Sequence, residues 1–153
     1  MVFGSVNSLC RVIPWVPDRM PITYERDDAR RLIIVTTIGI VGLDDLLAVV
    51  DRQASEGTWQ YGTLYDSRLV ASVASQTDVR TGLKRVDTLS RTHGRRGPVA
   101  FVTTMPAAYG MVRMYSTLAG QLHQAVEAFR DIGDAERWLA AQTEPAATGG
   151  SRQ

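Results

Sequence analysis

The stretch RLIIVTTIGIV, residues 31–41, decides the fold of this chain. It is rich in β-branched residues and too continuously apolar for a half-exposed strand, so it predicts a central strand buried on both faces. Gly39 and Gly42 end the strand. Residues 43–56 then carry apolar side chains at helical spacing, with Gly57 as a C-terminal cap. A buried strand followed by an amphipathic helix is typical of an α/β fold.

Strands and helices continue to alternate along the rest of the chain. Further strands are predicted at 22–25, 61–65, 99–103 and 125–129, and further helices at 75–91, 106–122 and 134–141. The order β-β-α-β-α-β-α-β-α predicts a single-layer, mostly parallel five-stranded sheet with right-handed crossovers, flanked by about four helices. The first two strands form a hairpin, which adds one antiparallel edge strand.

Composition indicates one folded domain without a strong charge bias. The chain has 153 residues, 44% of them apolar, with 17 basic and 16 acidic side chains. This balance gives no general attraction to nucleic acid or to an anionic membrane, so neither is expected as a partner. Cys10 is the single cysteine, so no internal disulfide can form, and we expect a cytoplasmic protein.

The two ends of the chain differ from its middle. We expect residues 1–20 to form an extended leader that is either disordered or packed on a partner, because Pro14, Pro17 and Asp18 interrupt any transmembrane segment. Residues 21–142 are expected to be the domain. Residues 143–153 are small and polar and are expected to be a disordered tail.

Four segments, taken in order, resemble the SpoIIAA-like family of the STAS superfamily (sulfate transporter and anti-sigma-factor antagonist domains). They are RLIIVTTIGIVGLDDLLAVVD (31–51), YDSR (65–68), PAAYGMVRMYSTL (106–118) and AVEAFRDIGDAERWLAA (125–141). The resemblance covers residues 21 to about 141. It implies a STAS/SpoIIAA-like β/α superhelix that serves as a regulatory or docking module, with a protein partner or a homodimer, no catalytic residues and no cofactor.

The resemblance also implies a phosphorylation site. In phosphorylatable STAS domains, a serine or threonine opens the helix after the third strand, and the matching residues here are Ser75 and Thr77. The Asp-Ser-Ser-Gly signature of those domains is absent. The residues themselves favour a different role, because Ser75 with Asp78 three positions later approximates a capping box. Both interpretations stay open at this point.

Polar side chains collect after two predicted parallel strands. Asp66 and Ser67 follow one strand, Thr103 ends the next, and Tyr109 and Arg113 lie one helical turn apart. Because ligands of open α/β sheets bind beyond the carboxyl ends of the strands, these five residues predict a small pocket with one anion-binding guanidinium. Its ligand would be small and apolar or amphipathic, such as a lipid. The alternatives are an ion pair with turn-stabilising hydroxyls, and an enzyme that uses Asp66 as a base.

One predicted helix carries a cluster of methionine and tyrosine side chains. The cluster comprises Met105, Tyr109, Met111, Met114 and Tyr115. Such a set is typical of a core, but it spreads around more than one helical face, so part of it can face a partner. The helices that begin near 75 and 106 are therefore the expected docking surface.

Residues 80–96 are locally basic, and both histidines are isolated. The basic side chains indicate either a solvated helix face or a phosphate-binding patch. His93 and His123 lack metal-ligand spacing, so no metal site is expected.

Overall fold

The computed structural model describes residues 21–143, so the leader expected at 1–20 and nearly all of the tail expected at 143–153 lie outside the described residues. Within the described range, five strands and four helices follow one another in the predicted order. Their bounds are β1 Ile22–Asp27, β2 Leu32–Gly39, α1 Leu43–Glu56, β3 Gly62–Val70, α2 Gln76–His93, β4 Val99–Val102, α3 Pro106–Gly120, β5 Val126–Phe129 and α4 Ile132–Thr143.

The strands form one mixed sheet whose spatial order is the same as their order in the chain, β1-β2-β3-β4-β5. β1 pairs antiparallel with β2, with Ile22 opposite Thr37. The pairings of β2 with β3, β3 with β4, and β4 with β5 are parallel. The predicted α/β architecture, including its antiparallel edge strand, is confirmed.

Helices cover both faces of the sheet. Successive side chains of a strand point to opposite sides, so one strand contributes to the core on both faces. Ile33 and Val35 of β2 are fully buried on the side that α1, α2 and α3 cover. Leu32 points the other way, into a cluster with Ala135 and Leu139 of α4. Each such fully buried aliphatic side chain contributes roughly 1.5–3 kcal/mol. The burial of β2 on both faces explains its unbroken apolar sequence.

β3 is longer than the sequence indicates. The predicted strand ends at Tyr65, whereas the observed strand continues to Val70. β2 supports the continuation, because Ile38 pairs with Leu69 after an irregularity in the register. Asp66 and Ser67 therefore lie inside a strand, and the prediction that they follow its end is wrong. Local polarity suggested a turn, but pairing with β2 overrides that signal.

The methionine and tyrosine cluster on α3 belongs mainly to the core. Met111, Met114 and Tyr115 are half-buried and pack against the cluster between the sheet and its three covering helices. Of the two interpretations of this set, the structure favours the core for these three side chains. Within the described residues, the large apolar side chains that are exposed lie elsewhere, at the ends of β2 and β3 and in the segment after β3.

Candidate ligand cavity

A cavity of about 150 Å³ lies between the helix-covered face of the sheet and helices α1, α2 and α3. Val73 lines it and is 36% exposed, so the cavity opens to solvent beside the segment that joins β3 to α2. Most of its lining is aliphatic or aromatic. The apolar lining consists of Val41, Leu43, Leu46, Leu47, Val50, Tyr65, Val70, Val73, Ala74, Val79, Phe101, Ala108, Met111, Val112 and Tyr115.

Small residues on the covering helices leave this space open. Gly82 lies in the middle of α2 and lines the cavity, and a Cβ atom built there would meet nothing within 4 Å. Ala108 takes the corresponding role on α3. Protein interiors are otherwise packed to crystal-like density, so unfilled volume of this size is a specific feature of the fold.

Three aromatic rings form one wall of the cavity. Tyr65 and Phe101 sit on neighbouring strands and stack with ring centroids 4.6 Å apart and planes 9° apart. Tyr115 of α3 meets Phe101 edge-on at 5.8 Å. Stacked and edge-on rings stabilise each other by about 0.5–1.5 kcal/mol beyond the area they bury.

Arg96 is the one cationic side chain among the lining residues that the structure describes. The loop that carries it, residues 94–98, is fixed to the segment before β3 by a hydrogen bond from Trp59 Nε1 to the Gly94 carbonyl at 2.7 Å. Gly97 lies so close to the backbone of residues 60 and 61 that a Cβ atom there would approach their oxygens closer than 3.0 Å. This close approach holds Arg96 beneath the sheet's helix-covered face, where it is 4% exposed.

The guanidinium of Arg96 is held by neutral groups. Its Nη2 donates to Gln53 Oε1 at 2.5 Å and to the Tyr65 hydroxyl at 3.5 Å. Its Nε–H has no acceptor within the described part of the chain, and its guanidinium carbon lies 5.5 Å from the centroid of the Trp59 ring. No carboxylate of residues 21–142 forms an ion pair with Arg96. Burying a cation costs free energy because it loses its hydration, and no paired anion of the described chain offsets that cost here.

The Tyr115 hydroxyl is buried beside Arg96. Burial raises the pKa of Tyr115 to about 12, because the phenolate would lose its hydration, and the nearby Arg96 charge only partly offsets this rise. Tyr115 is therefore neutral at physiological pH, and its hydroxyl keeps a proton to donate.

Solved structures resemble this chain, and two of them illustrate the likeness. An uncharacterised protein of the DUF3478 family from Shewanella loihica PV-4, which has a SpoIIAA-like fold, superposes with a TM-score of 0.51, 19% sequence identity and coverage of 77% of this chain and 91% of that chain. This chain has a SpoIIAA-like fold. An anti-sigma factor antagonist from Mycobacterium paratuberculosis gives a TM-score of 0.48 and 18% identity, over 81% of this chain and 97% of that one. No protein-family model and no curated protein matches the sequence.

The SpoIIAA-like fold brings two of the five predicted pocket residues to the cavity. Ser67, inside β3, and Thr103, directly after β4, both line it, and the two strands are parallel neighbours. Ser67 Oγ accepts a hydrogen bond from Thr37 Oγ1 at 3.0 Å, and Thr103 Oγ1 accepts from the backbone N–H of Met105 at 3.3 Å. These hydroxyls add to the polar side chains of the lining, which also include Arg96 and Asp78.

The other three predicted pocket residues lie outside the lining. Asp66 forms a bidentate ion pair with Arg68, with both contacts at 2.8 Å. This pair lowers the pKa of Asp66 below its usual range. Tyr109 lies under the guanidinium of Arg130, 3.9 Å from its ring centroid. Arg113 is exposed on α3. The guanidinium of the cavity is thus Arg96 rather than Arg113.

The two predicted phosphosites lie at the start of α2. Ser75 is the N-cap, its Oγ accepts from Asp78 N at 3.0 Å, and Asp78 Oδ2 accepts from Ser75 N at 3.3 Å. The capping box expected from the sequence is therefore present. Thr77 is exposed in the first turn. Both hydroxyls lie on the outside of the SpoIIAA-like fold, and their phosphorylation stays a prediction.

Sequence reasoning placed Arg96 within a basic stretch and missed its burial. Of the basic residues at 80–96, Arg85 pairs with Asp51 and Arg91 pairs with Asp87, and both arginines are exposed. Arg95 is exposed as well, so adjacent arginines differ completely in environment. The available signal was the Gly-Pro pair at 97–98, which marks a tight approach to the next strand, but it does not specify which arginine turns inward.

None of the helices within residues 21–143 is long and apolar enough to cross a membrane. In the same part of the chain, no three histidine, cysteine, aspartate or glutamate side chains are grouped so that they could hold a metal ion.

Proposed function

We propose that this protein is a binding module that takes a small amphipathic ligand in the cavity beneath helices α1, α2 and α3. One observation carries the proposal: the cavity of about 150 Å³ contains Arg96, a guanidinium that is 4% exposed and has no carboxylate partner in the described chain. A ligand with a polar end and an apolar body satisfies both parts of such a site.

The energetics favour a ligand over a purely structural role. Neutral partners such as Gln53 compensate a buried guanidinium only in part, because an amide dipole replaces water less well than an anion does. Most of the cavity lining is apolar, whereas the hydroxyls of Tyr65 and Tyr115 lie beside Arg96. The apolar body of a ligand adds contacts that the empty protein lacks, and its polar end compensates the charge of Arg96.

The lining residues support binding rather than catalysis. Among the described residues that line the cavity there is no histidine, cysteine or lysine, which are common general bases and nucleophiles. Its carboxylate, Asp78, is engaged in the capping box of α2. Asp66 lies outside the lining, and its lowered pKa makes it a weaker proton acceptor than a free carboxylate.

Gly82 provides a direct test of the cavity. Leucine at this position would fill the open volume from α2, whereas leucine at Gly110, an exposed glycine within α3 that does not line the cavity, would not. We expect native mass spectrometry to detect a co-purifying small molecule in the wild type and in Gly110→Leu, but not in Gly82→Leu.

Titration of the wild type with 1-hexanol, followed by amide chemical shifts, tests the same site without a natural ligand. We expect shifts at residues of the cavity wall and their absence in Gly82→Leu. A wild-type protein that carries no small molecule and shows no shifts with either hexanol or hexanoate would overturn the proposed function.

A regulatory role through self-association is a second candidate, in line with the docking module that the sequence resemblance implies. Ile38, Ile40 and Leu69 are 44%, 78% and 65% exposed and form an apolar strip at the ends of β2 and β3. Residues 67–70 of β3 continue beyond its last pairing with β4, so their outer edge lacks a neighbouring strand in the described sheet. Such an edge can pair with the same segment of a second copy across a two-fold axis.

Size-exclusion chromatography with light-scattering detection, which measures the molar mass of the protein, tests this second role. We expect a dimer that Leu69→Lys converts to a monomer, because a lysine on an edge strand disfavours edge pairing. Ala107→Lys, an exposed position on α3, is the matched control and should leave the dimer intact. A wild-type monomer at all concentrations would exclude the role.

A further inference from the structure

We propose that the ligand is a small organic carboxylate whose acid group pairs with Arg96 and whose apolar body fills the cavity. This inference rests on the proposed function and specifies the chemical class of the ligand. It assigns a binding role to Arg96, Tyr65 and Tyr115 that sequence reasoning did not foresee.

The hydrogen-bonding capacity around Arg96 matches a carboxylate. The Nε–H of Arg96 has no acceptor among residues 21–142, so it can donate to one carboxylate oxygen. The Tyr65 hydroxyl accepts from Arg96 and keeps its own proton for the second oxygen. Tyr115 is neutral beside the same guanidinium and supplies another O–H donor. A guanidinium fork with flanking hydroxyls is a common way to bind a carboxylate.

The charge of the site matches one negative charge rather than two. Arg96 is the single cation of the described lining, and the carboxylate of Asp78 lies on the same cavity. A monoanion pairs with Arg96 one to one and neutralises the guanidinium, while Asp78 forms no ion pair with Arg96 and stays in the capping box of α2. A phosphate monoester carries about −1.5 to −2 charges at pH 7, so it would bring an uncompensated charge into an apolar site.

The size of the cavity limits the apolar body of the ligand. A volume of about 150 Å³ has room for a benzene-sized molecule, which corresponds to roughly six carbons. A longer chain would have to leave through the opening beside Val73. The aromatic wall of Tyr65, Phe101 and Tyr115 suits a flat ring or a short acyl chain. These dimensions favour hexanoate-like or benzoate-like acids over two-chain lipids.

A series of probes with one body and different head groups tests the inference on the wild-type protein. Calorimetric titrations at pH 7 with hexanoate, 1-hexanol and hexylamine keep the apolar contribution constant. We expect hexanoate to bind about tenfold to a hundredfold more tightly than hexanol, because charged hydrogen bonds contribute more than neutral ones. Hexylamine should bind most weakly, since its ammonium would lie next to Arg96.

The outcomes of this series separate the two proposals. If hexanol and hexylamine bind as tightly as hexanoate, the cavity is a binding site but the carboxylate inference is wrong. If none of the three probes binds, the proposed function fails and the carboxylate inference fails with it. Tighter binding of hexylamine than of hexanoate would also contradict the inference.

Two arginine variants test which residue causes the preference for the negatively charged head group. Arg96→Met removes the guanidinium and keeps an unbranched side chain, and we expect it to equalise hexanoate and hexanol binding. Arg113→Gln removes an exposed arginine of the same fold and should keep the full preference for hexanoate. If Arg96→Met loses the near-ultraviolet circular dichroism of the wild type, the wild-type probe series alone decides. A folded Arg96→Met that still prefers hexanoate tenfold would overturn the inference.

Discussion

Arg96 Nη2 donates to Gln53 Oε1 at 2.5 Å, although 43 positions separate the two residues in the chain. Gln53 is itself fully buried, and its Nε2 donates to Thr63 Oγ1 at 3.0 Å. The contact therefore joins helix α1, strand β3 and the loop before β4 into one buried polar network. This network fixes the position of the guanidinium, which preorganises the site before any ligand enters.

Replacing Gly82 by alanine should stabilise the protein. A Cβ atom at Gly82 meets nothing within 4 Å, and glycine inside a helix costs roughly 0.5–1 kcal/mol relative to alanine. We expect Gly82→Ala and Gly110→Ala each to raise the free energy of unfolding by about that amount in urea denaturation. A loss of stability in Gly82→Ala alone would show that the cavity is smaller than the structure indicates.

Replacing Gly97 by alanine should destabilise the protein. The new methyl group would collide with the carbonyl oxygens of Gln60 and Tyr61, which belong to the backbone and cannot rotate away. We expect a loss of about 1–3 kcal/mol in unfolding free energy and weaker hexanoate binding, because the loop that holds Arg96 must shift. Gly120→Ala, at the end of α3 where a Cβ atom has open space, is the control and should keep wild-type affinity.

Removing the N-cap of α2 should have a measurable cost. The Ser75 hydroxyl accepts from Asp78 N at 3.0 Å, and loss of such a cap costs about 0.5–2 kcal/mol. We expect Ser75→Ala to lower the free energy of unfolding by that amount. Thr77→Ala, two positions later and exposed, should change it by less than about 0.5 kcal/mol. Equal effects at the two positions would contradict the capping role.

Stability should fall at high pH because of Tyr115. Its pKa is raised to about 12 in the folded protein, whereas an unfolded tyrosine titrates near 10. The unfolded chain thus loses the proton first, so the stability present below pH 10 is lost as the pH rises towards 12, by roughly 2–3 kcal/mol in total.

Urea denaturation between pH 8 and about pH 12 should show a shallower decline in Tyr115→Phe than in the wild type. The decline will not vanish, because burial also raises the pKa of Tyr24 to about 12. Tyr24→Phe should therefore remove a second part of it. An unchanged slope in Tyr115→Phe would show that the hydroxyl is not buried.

Replacing Asp66 by asparagine should have little effect. The Asp66–Arg68 pair is near the surface, with Arg68 43% exposed, and such pairs contribute at most about 1 kcal/mol. The pair lowers the pKa of Asp66, so its contribution is present above the ordinary aspartate value of 3.8 and is lost as the pH falls below it.

We expect Asp66→Asn to bind hexanoate as the wild type does, because Asp66 lies outside the cavity lining. Calorimetry at pH 7 checks this expectation. A large loss of affinity would place Asp66 in the binding site and support the pocket that was predicted from the sequence.

The sequence by itself determined the order of the strands and helices and most of their bounds. The helix at 43–56 and its Gly57 cap, which has a φ of +78°, follow from local signals: apolar periodicity and a glycine where the backbone is left-handed. The same holds for the Ser75 cap. Such signals act over one or two helical turns, so they are visible in the sequence.

Only the tertiary structure decided the length of β3, the burial of Arg96 and the presence of the cavity. Pairing with β2 extends β3 through polar residues that read locally as a turn. Arg95 and Arg96 are adjacent residues of the same type. Only the close packing of Gly97 against the segment before β3 turns one of them inward. A cavity forms where segments that are distant in the sequence leave a volume unfilled. A local sequence pattern carries no information about the packing of such distant segments.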